Sequence, residues 1–210
     1  NHNHFETPCG SWAGFKMSRY LICGTGDARF GDWVEKLLIN GIGATITNTP
    51  DGRVQYYSDY GLFGGAKQRT DILWSCCSGT RPIAVSDYLN LIYFKDTNGL
   101  CVNLFIPSTV RWNQSGQDIV VRQETRFPEE DIVRVKVMPA KPTFFSIRIR
   151  RPGWVSSELE VKVNGGVVHV SADEHGWMNI PRTWVPGDVV DIRLPMGLKT
   201  ARISEDKPFP

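Results

Sequence analysis

A chain of 210 residues with 24 Lys and Arg against 22 Asp and Glu carries a formal charge of only +2, so nothing in its electrostatics points to a nucleic-acid partner. The length allows one large core or two small ones, and no apolar run approaches the roughly 20 residues that cross a bilayer. Five cysteines are an odd number for a disulfide framework, so reduced thiols with a metal suit the chain better.

The chain opens on Asn1-His2-Asn3-His4, without Met or a charged-then-apolar leader, and reads as cut from something longer. His2 and His4 are expected to be solvated. Glu6-Thr7-Pro8-Cys9 follows, and then residues 11–41 predict two helices. In the first, Trp12, Phe15, Arg19 and Ile22 share a face, with Leu21 beside them. Ser11 suits its N-cap, and Gly24 or Gly26 its end. In the second, Phe30, Val34, Leu37 and Leu38 recur at helical spacing and Trp33 widens the stripe. Asp27 favours its start, Gly41 and Gly43 its end. The short join predicts antiparallel packing, with Trp12 and Trp33 in the core.

Residues 45–60 change character. Thr and Ile alternate, Pro50-Asp51-Gly52 makes a turn, and 54–57 completes a predicted β-hairpin. The Gly-rich stretch 61–75 reads as a long irregular loop. It delivers Trp74-Ser75-Cys76-Cys77-Ser78-Gly79-Thr80. From Pro82, suited to a first helical turn, to about Tyr93 the pattern is helical again.

Beyond Lys95-Asp96-Thr97-Asn98-Gly99 the chain reads as strands at 100–106, 119–127, 132–138, 144–150, 159–163, 167–170, 178–180, 189–194 and 198–202. Val133, Val135 and Val137 alternate with Arg134 and Lys136, and Ile147 and Ile149 with Arg148 and Arg150. Such alternation predicts antiparallel sheet with one wet face, and it reads the run Arg148-Ile149-Arg150-Arg151 as solvated rather than as a phosphate patch. Turn signals at Pro128-Glu129-Glu130-Asp131, Asn164-Gly165-Gly166 and Pro186-Gly187-Asp188 separate the strands. Many short strands with regular turns predict a β-sandwich. Three helices are too few to close a helical domain. The expected architecture is therefore α+β and multidomain: residues 1–97 the end of a helical domain, residues 98–210 an antiparallel β-sandwich.

Cys76 and Cys77 carry the candidate chemistry. Adjacent cysteines rarely bond each other, because a disulfide needs Cα atoms farther apart than one peptide link allows. Two neighbouring thiols suit a metal or an electrophile, and Glu6 and Cys9 can complete such a site. Three thiolates and a carboxylate match zinc and disfavour magnesium or calcium. Ser78-Gly79 would let both side chains turn inward. The bland alternative is that Cys76 and Cys77 are small buried residues. Cys23 and Cys101 are expected in the core, His169 and His175 on the surface. Trp74 either stacks on a sugar ring or packs.

Several motifs in register resemble one family. Glu6-Thr7 with Cys9 opens a helix rich in Lys, Ser and Arg, followed by Thr25-Gly26-Asp27-Ala28-Arg29-Phe30 and Asn40-Gly41. Cys76-Cys77 with Gly79-Thr80 comes next. Then follow Val102-Asn103-Leu104-Phe105-Ile106, Gln123-Glu124-Thr125 with Phe127-Pro128, Arg148-Ile149 with Arg151-Pro152-Gly153-Trp154, and Val163-Asn164-Gly165 with Trp184 and Gly187-Asp188. Over its whole length the chain resembles the β-L-arabinofuranosidases of glycoside hydrolase family 127 and their relatives. The resemblance implies the end of an (α/α)6 barrel followed by the first β-sandwich. It implies zinc held by Glu6, Cys9, Cys76 and Cys77, with Cys76 the nucleophile of a retaining glycosidase. The implied substrate is an arabinose-containing glycan or a related carbohydrate, with no nucleic acid or membrane as partner.

Two departures stand out. Pro8 separates Thr7 from Cys9, where the family pattern has Cys directly after Thr. The family's acid/base Glu lies upstream of the Glu-Thr-Cys motif, and only five residues without a carboxylate precede Glu6. The expectation is a polypeptide that lacks the upstream barrel and does not turn over a glycoside alone. Two further readings stay open: a non-catalytic carbohydrate-binding β-sandwich with structural zinc, and an interaction domain whose cysteines are core.

Overall fold

A computed structural model describes residues 4–43, 55–59, 67–69, 76–198 and 200, with side chains described for 8–43, 76–198 and 200. Helix α1 spans Thr7–Thr25. It begins four residues before Ser11, so Ser11 is not its cap. Pro8 falls in the first turn, where its missing N–H is one of the helix's unpaired donors in any case. The buried face is Ser11, Phe15, Ser18 and Ile22, while Trp12 is half-buried and Arg19 exposed. The stripe is displaced from the predicted one because small residues let the chain approach closely. A Cβ on Gly14 would lie 2.3 Å from Leu37 Cδ1, and one on Gly41 would lie 2.2 Å from Ser11 Oγ.

Helix α2, Arg29–Lys36, runs into a π-helical segment, Leu37–Ile42. Asp27 marks the start as expected: its Oδ1 accepts the Arg29 N–H at 2.9 Å. Gly41 lies inside the π segment, buried, rather than beyond the helix end. The contacts Gly14–Leu37 and Ser11–Gly41 run in opposite chain directions, so α1 and this helical stretch are antiparallel as predicted. Trp33, expected in the core, is 42% exposed.

Three short strands form the first sheet. β2, Gln55–Asp59, pairs antiparallel with β1, His4–Glu6, and with β3, Lys67–Arg69. The predicted first hairpin arm and its turn lie outside the described residues. The stretch read as an irregular loop contains β3. Helix α3, Cys76–Asp87, starts at the cysteine pair rather than at Pro82, and a 3-10 turn, Tyr88–Leu91, extends it. Ser78-Gly79 is therefore helical. Pro82 is the seventh residue of the helix, nearly two turns in and on an exposed position, where it removes a single hydrogen bond.

The remaining strands are β4 Tyr93–Lys95, β5 Gly99–Val102, β6 Ser108–Gln114, β7 Gln117–Thr125, β8 Ile132–Pro139, β9 Thr143–Arg150, β10 Glu160–Val163, β11 Gly166–Val167, β12 Trp177–Trp184 and β13 Asp188–Arg193. A six-stranded sheet has the order β11-β10-β13-β8-β7-β6, and a four-stranded sheet the order β12-β9-β5-β4. Their inner faces share one core: Val133, Val135 and Val137 from β8, Ile147 and Ile149 from β9, Val190 and Ile192 from β13. Trp184 is wholly buried there, its indole N–H donating to the Phe145 carbonyl at 2.9 Å.

One pairing departs from the antiparallel expectation: β5 lies parallel to β9. Gly99 makes this possible, because a Cβ at its φ of +150° would sit 2.1 Å from the Ser146 carbonyl oxygen. β6 and β4 were not expected. In β6, half-buried Val110 and Trp112 alternate with exposed Thr109 and Arg111, a period-two signal weakened by its polar members. Leu198, expected to open a last strand, is exposed and belongs to none.

The outer face of the four-stranded sheet holds the main correction. Arg150, read as solvated, is wholly buried. Its Nε donates to the Asn103 carbonyl at 2.6 Å, and its guanidinium pairs with Asp32 and Glu35 of α2. Asp32 also accepts the Gly153 N–H at 2.8 Å, and Glu35 accepts the Trp154 indole N–H. Arg148 is largely covered as well and pairs with Asp96 at 2.5 Å. The face is dry at this end because helices lie on it. Ile22 and Ala28 pack against Cys101 and Trp177, and the Trp177 indole donates to the Gly26 carbonyl at 2.7 Å. Cys101 is core as expected, whereas Cys23 is exposed. His169 and His175 are exposed as read. Among the described residues, no helix is long and apolar enough to cross a membrane.

Candidate metal centre

Helices α1 and α3 pack against each other. Their first turns bring three cysteines together. Cys9 is the third residue of α1, and Cys76 and Cys77 are the first two of α3. The three sulfurs all lie within 4.8 Å of one another. Cys9 and Cys77 are closest, Sγ to Sγ 3.6 Å. Sulfurs bound at about 2.3 Å to one tetrahedral zinc stand about 3.8 Å apart, so this spacing needs little adjustment to hold the ion.

Burial grades the three thiols. Cys77 is buried, Cys9 intermediate and Cys76 exposed. Burial pushes the Cys77 thiol well above the usual thiol range, and its hydrogen bond with Cys9 pushes the same way. Cys77 therefore stays a thiol unless positive charge arrives. Two helix N-termini supply part of it, since unpaired N–H groups and the macrodipole favour anions there. A divalent cation would supply the rest. The soft, crowded donor set fits zinc rather than magnesium or calcium.

Thr80 belongs to this cluster and was not singled out from sequence. Its Oγ1 lies 3.3 Å from Cys9 Sγ and donates to the Cys76 carbonyl at 2.8 Å. Once α3 is taken to start at Cys76, Thr80 falls one turn on, along the same face, so a correct helix start would have found it. Of the predicted ligands, Cys9, Cys76 and Cys77 converge. The backbone of Glu6 ends β1, directly before α1, and pairs with Tyr57, while its side chain lies outside the described residues, as does Trp74.

Residues 99–196 match the family model described as the β-L-arabinofuranosidase GH127 middle domain. Among solved structures, a glycoside hydrolase superposes with a TM-score of 0.76 at 26% identity, covering 90% of this chain and 32% of its own. A GH127 β-L-arabinofuranosidase from Geobacillus stearothermophilus T6 gives a TM-score of 0.78 at 23% identity, over 95% and 33%. A GH127 β-arabinofuranosidase gives 0.71 at 23% identity, over 89% and 32%. The chain thus spans about a third of the length of these structures. No curated protein sequence matches it. Residues 99–196 thus resemble the GH127 middle domain, and the fold shared with these structures extends over about nine-tenths of the chain.

Proposed function

We propose that the chain is part of a retaining glycoside hydrolase acting on arabinofuranosides or related sugars, with Cys76 as nucleophile and Glu6, Cys9, Cys76 and Cys77 holding one zinc ion. The observation that carries this reading is the convergence of three sulfurs at the joined N-termini of α1 and α3. Bound zinc would keep its cysteine ligands ionised at neutral pH. The Pro8 insertion is compatible with ligation, because the first turn of α1 absorbs it and Cys9 still meets Cys77.

Exposure divides the labour among the cysteines. Cys77 and Cys9 lie deeper and serve as anchors, whereas Cys76 is open to an incoming sugar. The Cys76 thiolate attacks the anomeric carbon. A C–S bond forms as the bond from that carbon to the leaving oxygen breaks, and the oxygen takes a proton from a general acid. Water then attacks the same carbon while its proton passes to the conjugate base of that acid, the C–S bond breaks, and sulfur departs as thiolate. Two displacements give net retention. Most retaining glycosidases use two carboxylates instead.

The domain reading goes with this. Residues 1–97 form the end of an (α/α)6 barrel, and residues 98–210 a β-sandwich. Upstream barrel helices would supply the acid/base Glu and much of the sugar pocket, so the 210-residue chain alone does not hydrolyse a glycoside. The test is covalent trapping. An arabinofuranosyl haloacetamide should alkylate Cys76 in preference to the exposed Cys23, with free arabinose competing, as read by peptide mass mapping. Equal labelling of Cys23 and Cys76, or none at Cys76 with zinc bound, overturns the nucleophile and leaves a structural metal site.

A further inference from the structure

Among the described residues, the outer face of the four-stranded sheet is covered at one end only. Helices seal Arg150, Cys101 and Trp177, while the opposite end forms a cleft of about 580 Å³. That volume falls within the roughly 300–1,000 Å³ usual for small-ligand sites. Its floor is made by outward-pointing residues of two paired strands, Phe144, Ser146 and Arg148 from β9 and Asn179 and Pro181 from β12. None of its lining residues comes from α1, α2 or α3, so it is separate from the cysteine cluster.

The chemistry of the lining selects a ligand class. Phe144 is 67% exposed, a large ring left in water beside Pro181. Asn98 and Asn179 are exposed, and among the described residues neither side-chain amide has a hydrogen-bond partner. Asp173 uses one carboxylate oxygen on the N–H groups of His175 and Trp177, which leaves the other available. Arg148 is already paired with Asp96, so the cleft offers an anion no unbalanced positive charge. A flat apolar platform ringed by amides and a carboxylate matches the faces of a neutral sugar, whose C–H groups lie on the ring and whose hydroxyls both donate and accept.

We propose that this cleft binds a neutral oligosaccharide, as a glycan-holding subsite remote from the cysteine cluster. Phe144 stacks on one sugar ring, while Asn98, Asn179 and Asp173 take its hydroxyls. The choice of an arabinose-containing glycan rests on the proposed function; the subsite itself does not. A glycan held here stays near the protein between encounters with the reacting site, which raises its effective concentration.

Arabinotriose titrated into the 210-residue chain tests this by NMR. The side-chain amide signals of Asn98 and Asn179 should shift saturably, with a Kd on the order of 1 mM. Phe144→Ala should weaken binding about tenfold, and Asn179→Ala comparably. Circular dichroism shows that each variant is folded. Cys76→Ser should leave the affinity unchanged, which separates this subsite from the nucleophile. Unshifted amide signals, or Phe144→Ala binding as well as the parent, overturns the proposal. Saturable shifts with xylotriose but not arabinotriose keep the subsite and reject the arabinose assignment.

Discussion

Replacing Arg150 by Met tests how the helical and β parts are joined. The guanidinium is wholly buried and faces two carboxylates of α2, Asp32 and Glu35, as well as the Asn103 carbonyl. Breaking a buried ion pair from one side costs about 3–5 kcal/mol, mostly because the remaining charge is stranded. Here some support survives, since Asp32 keeps the Gly153 N–H and Glu35 keeps the Trp154 indole. The expected loss is therefore at the low end, about 3 kcal/mol. Urea unfolding of the chain, followed by tryptophan fluorescence, measures it. Removing the carboxylates as well, in Asp32→Leu/Glu35→Leu/Arg150→Met, should recover part of the loss, because no charge is left unpaired. A cost for Arg150→Met below about 1 kcal/mol, or a triple variant less stable than the single one, refutes the reasoning.

Further outcomes follow from other parts of the molecule. Gly99→Ala places a Cβ against the Ser146 backbone, which cannot move aside, so it should destabilise the β5–β9 pairing by about 1–3 kcal/mol in the same urea assay. Burial raises the Cys101 thiol to about 11, from an ordinary 9.0. As pH rises through that interval the unfolded chain loses a proton that the folded chain keeps. Stability should therefore fall over the window, and Cys101→Ala should flatten the slope. Chelating zinc from the purified chain should lower its melting temperature, and adding zinc back should restore it. A Cys9→Ser/Cys77→Ser variant should respond to neither treatment.

The strands of the six-stranded sheet were legible because their apolar positions alternate cleanly, as in Val133, Val135 and Val137. The same logic misread Arg150. Alternation separates the two faces of a strand, but it does not say what covers the second one. Here α2 does, and the positive charge in a wet-looking pattern turned out to be the partner of two acids more than a hundred residues earlier. Cys23 failed in the opposite sense, since its helix turns that position to solvent when Ser11, Phe15 and Ser18 face inward. Gly14 and Ser18 carry no hydrophobic signal, yet closeness of approach made them the packed face.

The cysteine cluster was legible as a grouping but not as a geometry. The rarity of neighbouring cysteines drew attention to Cys76 and Cys77, Glu6 and Cys9 near the start of the chain offered the completing ligands, and the family resemblance implied the same set. None of these gave the helix start that aims all three thiols, because Pro82 is a stronger local signal than a polar Cys-Cys-Ser-Gly-Thr opening. Thr80 was missed for that reason.

Metal analysis of the chain purified under reducing conditions tests the central claim most directly. The account predicts about one zinc ion per chain, lost on Cys9→Ser and on Cys77→Ser. Metal-free protein from zinc-replete preparations, or full zinc retained by the Cys9→Ser/Cys77→Ser variant, would contradict it.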